Sequence, residues 1–188
     1  MAQTIQLSVA ESVETNDHEV LILIGGMDIF SGRYMGIDPP DFFSQENLLS
    51  GGEILVGRCE CGCEGCDDLR CEVEITGGLA VWRTSDENMY ELVLSQYLEE
   101  INRAASDYSW ETPIRTAERL VSEIFSGKTL EGNYQFNWAS GRIDSGEIVL
   151  SFNGGVDQKL YRFKWDGQDP MSAKYMALEK IKEFYFVE

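Results

Sequence analysis

Positive charge is what this sequence has least of. Residues 1–75 carry three basic side chains, Arg33, Arg58 and Arg70, against fifteen acidic ones, a balance of −12, while residues 76–188 carry twelve against eighteen, or −6. Over all 188 residues, 33 acids against 15 bases leave a formal charge of −18. Such a surface repels phosphate backbones and anionic headgroups, so the attraction that normally drives nucleic-acid and membrane-surface binding is missing. A cationic protein is the complementary partner. Acidity of this kind also serves plain solubility.

Histidine is nearly absent: His18 stands alone. A Ser-His-Asp or Cys-His catalytic set must therefore use that one residue. It falls in a polar stretch, Glu14-Thr15-Asn16-Asp17-His18, that reads as a solvated turn. Neither Gly25-Gly26 nor Gly154-Gly155 lies in a Walker or dinucleotide pattern, so a phosphate-cradling loop is missing as well. Together these absences point away from an enzyme. The longest apolar run, Val20-Leu21-Ile22-Leu23-Ile24, is far short of the roughly 20 residues that span a bilayer. Residues 1–9 lack the basic start and apolar stretch of a secretory signal. A cytoplasmic, bacterial-type protein without a membrane partner is expected.

What is present suffices for a core: 43% hydrophobic and 11% aromatic residues place the chain in the globular range. The expected fold class is α+β, antiparallel sheet with a few covering helices, in one unit with possible subdomains at 1–128 and 129–188. Alternation at Ile5, Leu7 and Val9, then the run at 20–24, predicts a hairpin. Residues 27–50 read as irregular chain, whose Asp28, Asp38 and Asp41 are most simply solvated. Strands are expected at 53–58, 71–76, 79–83 and 89–94, with a tight turn at Gly77-Gly78. Helical spacing predicts helices at 95–107 and at 113–126, the second capped by Thr112 and ended by Gly127. The last third predicts three strands with Phe136, Trp138, Leu150, Phe152, Phe163 and Trp165 on one inner face. A helix starting at Asp169-Pro170, with Met171, Tyr175, Leu178, Ile181 and Lys182 recurring, is expected to cover that face.

All five cysteines lie between Cys59 and Cys71. An odd number packed into one short segment suits metal binding or free thiols before disulfides. Cys59, Cys61, Cys63 and Cys66, separated by glycines, can wrap one soft divalent ion such as zinc. The competing reading is a tight connection with small free thiols, since zinc knuckles usually come from two chain segments. A catalytic thiol fits poorly, because Glu60, Glu64, Asp67 and Asp68 crowd the loop and only Arg58 and Arg70 oppose them. Cys71 alternates with Leu69, Val73 and Ile75 and belongs to the apolar face of its strand.

The run Gly57-Arg58-Cys59-x-Cys61-Gly62-x-x-Gly65-Cys66, with Val81-Trp82 after it, resembles a group of uncharacterised bacterial proteins carrying G-R-C-x-C-G-x-x-G-C and a later V-W. The resemblance covers residues 50–85, matches Cys59, Cys61 and Cys66, and implies no activity. Three functions are thus expected in descending order. The first is a non-enzymatic acidic interaction protein, of an immunity or antitoxin kind, that binds a basic protein. A zinc-stabilised domain comes second. A DNA-mimic inhibitor comes third, disfavoured by the lack of a regular carboxylate stripe.

Overall fold

Residues 2–12, 17–59, 61 and 65–186 are described by a computed structural model. Antiparallel sheets and helices make the chain an α+β protein, divided into two compact units at Met1–Trp110 and Glu111–Glu188. The division falls after Trp110 and not after residue 128, because the helix that precedes residue 128 packs on the carboxy-terminal sheet.

In the first unit β1 (Ile5–Ser12) and β2 (Asp17–Ile24) pair antiparallel from Ile5↔Ile24 to Ser12↔Asp17. The expected hairpin is present, although Glu14, Thr15 and Asn16 lie outside the described residues. Alternation in β2 places His18 in phase with Val20, Ile22 and Ile24, and His18 is accordingly buried. Its ring sits 5.0 Å from that of Trp110. The solvated-turn expectation for His18 is therefore wrong, because the strand begins earlier than its apolar run. A short β3 (Met27–Asp28) extends this sheet.

The stretch expected to be irregular contains β4 (Tyr34–Gly36), α1 (Pro39–Phe43) and α2 (Asn47–Ser50). Phe42 and Leu48 anchor the two short helices in the core. Next come β5 (Gly52–Cys59), β6 (Leu69–Thr76), β7 (Leu79–Thr84) and β8 (Met89–Val93), and β4 to β8 form a five-stranded antiparallel sheet in chain order. Strand β6 buries Leu69, Cys71 and Val73 and exposes Arg70, Glu72 and Glu74, the pattern of a sheet with one face on the core. Gly77 and Gly78, at φ of 57° and 79°, supply the two left-handed residues that a two-residue hairpin turn of this hand requires.

Helix α3 (Leu94–Ala105) buries Tyr97, Ile101 and Ala104. The Tyr97 hydroxyl donates to the Leu48 carbonyl at 2.7 Å, and its ring meets Trp82 edge-on. On the same helix Glu100 accepts from the Leu7 backbone N–H, while Arg103 donates to the Leu7 carbonyl, each at 2.6 Å. An ion pair on a helix thus satisfies both backbone groups of one β1 residue.

The second unit begins with α4 (Pro113–Phe125), where Thr112 accepts from the Arg115 N–H as the cap. Strands β9 (Thr129–Leu130), β10 (Tyr134–Ser140), β11 (Glu147–Asn153) and β12 (Gln158–Lys164) form a sheet in the order β12-β11-β10-β9. Phe136, Leu150, Phe152, Phe163 and Trp165 belong to its core, as expected. Trp138 does not. The register jumps between Phe136↔Phe152 and Trp138↔Ser151, so a bulge turns Trp138 to the face opposite Phe136.

Helix α5 (Pro170–Lys180) also departs from expectation. It buries Ala173 and Ala177, while Met171, Tyr175 and Leu178 are exposed. The aromatic face is filled by Phe125 of α4, which meets Phe152 edge-on at 6.1 Å, and by Phe184, whose ring is tilted against Phe152 at 5.7 Å. Small residues let α5 lie close against α4.

Candidate metal centre

Strand β5 carries the chain to Cys59, which still pairs with Tyr34 of β4, and β6 takes it up again at Leu69. The sulfurs of Cys59, Cys61 and Cys66 all lie within 4.8 Å of one another. Cys59 is half-buried, and Cys61 and Cys66 are exposed. Zinc–sulfur bonds of about 2.3 Å put tetrahedral sulfurs about 3.8 Å apart, so a modest contraction of the trio accommodates an ion. The three thiols can hold a metal ion. Of the sequence-predicted set, Cys63 lies outside the described residues, as do Glu60 and Glu64.

Electrostatics sets Cys66 apart from an activated, nucleophilic thiol. The Cys66 thiol is pushed up to about 11, first by hydrogen bonding to Cys59 and Cys61 and then by their charge. The sequence points to the loop carboxylates as the cause, whereas the structure assigns the shift to the neighbouring thiols. A positive ion bound beside Cys66 relieves this suppression of its ionisation.

Asp68, one of the carboxylates that crowd the loop, is held by contacts of its own. Both its carboxylate oxygens accept from the Gly65 N–H at 3.0 Å, and Oδ2 accepts from Arg70 at 3.2 Å. Its side chain is only 5% exposed, although the loop around it is exposed. Nothing but the Gly-x-x-Asp spacing could have marked this arrangement in the sequence. Cys71 is fully buried and faces the core, outside the group. Asp28, Asp38 and Asp41 are likewise not part of a shared donor set among the described residues. Asp28 instead accepts from the Phe30 N–H at 3.0 Å.

A second polar cluster, unforeseen in the sequence, lies in the other unit. Glu118 of α4 is buried and accepts from Arg115, the Ser140 hydroxyl, the Gly141 N–H and Arg142 at 2.8–3.1 Å. Both carboxylate oxygens are used. The cluster ties the end of β10 to α4.

No family model, curated protein or solved structure matches the chain. Among the described residues, no helix is long and apolar enough to cross a membrane.

Proposed function

We propose that the chain is a zinc-stabilised, non-enzymatic interaction protein of the cytoplasm. One zinc ion on Cys59, Cys61 and Cys66 fixes the β5–β6 loop, with Cys63 available as a further thiol. The observation that carries this reading is the convergence of three sulfurs within 4.8 Å of one another, those of Cys61 and Cys66 on exposed residues. Thiolate donors favour zinc over hard cations such as magnesium or calcium. Protein purified without added metal should contain about one equivalent of zinc. Binding must displace thiol protons, since Cys66 is protonated at neutral pH in the metal-free protein, so affinity should rise with pH. Metal-free protein whose affinity for added zinc is negligible at pH 8 would remove the reading.

The charge supports a partner reading alongside it. Divided at the structural boundary, residues 1–110 hold twenty-one acidic and five basic side chains, and residues 111–188 hold twelve and ten. The balance is −16 against −2, and all six lysines fall in the second unit. Three of the five arginines in the first unit, Arg70, Arg83 and Arg103, are already paired with acids. A cationic protein, in the manner of a toxin met by its immunity protein, is the partner such a field attracts. Capture at low salt from the source cell should recover a basic protein that is released as salt is raised. Recovery instead of a nucleic-acid enzyme displaced by duplex DNA would favour the mimic, and recovery of nothing would count against both.

A further inference from the structure

We propose that Asp68 positions Cys66 for the metal, setting the carboxy-terminal end of the loop in the shape the ion needs; this rests on the zinc reading above. The two ends of the loop are fixed by different means. Cys59 is held by the β4–β5 ladder, opposite Tyr34. Cys66 lies beyond the strands and has no such support, but the N–H of the residue before it, Gly65, is gripped by both oxygens of Asp68. Gly65 takes φ of +81°, with open space where a Cβ would be, so glycine is there for its backbone freedom and not for room.

Asp68 is itself held. Arg70 reaches it at 3.2 Å and reaches Glu53 on the neighbouring strand at 2.9 Å. The backbone of Arg70 is tied in turn to Ser85, whose N–H donates to the Arg70 carbonyl at 2.8 Å. A chain of contacts thus runs from the β7–β8 turn through Arg70 and Asp68 to the peptide that carries Cys66. Pairing with Arg70 also offsets the carboxylate's charge, so Asp68 organises the thiols without adding much to their mutual repulsion. With its oxygens committed to Gly65 and Arg70, Asp68 stands as a partner of the ligand's backbone and not as a ligand.

The test is titration of the full chain with cobalt(II), followed by zinc competition against a chromophoric chelator, for the parent, Asp68→Ala and Asp68→Asn. Loss of such a supporting contact typically costs about tenfold to a hundredfold in metal affinity. Asp68→Ala should fall in that range. Asp68→Asn, which keeps one oxygen for the Gly65 N–H, should fall between it and the parent. The sulfur-to-cobalt charge-transfer band per bound ion should be the same in all three, because the same thiolates ligate. Parent affinity in Asp68→Ala, with the parent binding metal normally, overturns the positioning role alone. An altered ligand-field spectrum in the variants overturns it too, by making Asp68 a ligand. A parent chain that takes no cobalt removes the zinc reading and this one together.

Discussion

Cys71 and Cys66 lie five residues apart and differ in burial and in what raises their pKa. Burial pushes the Cys71 thiol up to about 12, whereas neighbouring thiols raise Cys66 in an exposed loop. The alternation of β6 made the burial of Cys71 legible from sequence, because period-two spacing assigns each residue a face. It also gives Cys71 a consequence for stability. Its folded value lies above the ordinary 9.0, so the neutral thiol is favoured by the fold, and the associated stability is fully present below about pH 9. As pH rises from about 9 towards 12, the unfolded thiol ionises while the folded one does not, and stability is lost. Tyr97, raised by burial, adds to the same trend higher on the scale. Urea unfolding of the metal-free chain should show a falling midpoint above pH 9, and Cys71→Ala should remove the Cys71 share of that fall. An unchanged slope in Cys71→Ala would contradict its assignment.

At the scale of elements, strands that alternate cleanly were readable and the interruptions of alternation were not. Phe136 and Trp138 sit two apart and predict one face, but the register shift between them inserts a residue and reverses the second. Helix α5 failed for a different reason. Its large apolar residues mark a stripe by spacing, yet contact with α4 demanded close approach, and Ala173 and Ala177 met that demand. Helix α4 was read correctly in extent and cap, but not in its buried Arg115 and Glu118, since charged residues are assigned to solvent until a partner is visible. The bulge yields a direct comparison. Phe152→Ala, in the middle of the ring cluster, should cost about 3–5 kcal/mol, while Trp138→Ala, half-buried on the other face, should cost about 1–2 kcal/mol. Chemical denaturation of the two variants measures both. Equal losses would mean that Trp138 shares the core and that the strand is not bulged as described.

For the whole molecule, the charge imbalance was visible in composition, and the fold sharpened it by dividing the chain after Trp110. The cysteine loop lies in the strongly acidic unit, between β5 and β6. Spacing alone named four thiols, Cys59, Cys61, Cys63 and Cys66, as donors for one soft ion, and the resemblance matched Cys59, Cys61 and Cys66. The convergence of those three sulfurs, and the Asp68 contact to Gly65 beside them, depend on the path of the loop and are visible only in the structure. Metal bound to such a loop would contribute to folding, so the proposed zinc site is tested through the stability of the unit around it. The decisive measurement is elemental analysis of protein purified without added metal, paired with its melting temperature before and after a strong chelator. About one zinc per chain, with a melting temperature that falls on chelation and is restored by zinc but not by magnesium, is the predicted result. Metal-free protein whose melting temperature responds neither to chelator nor to zinc would contradict the account.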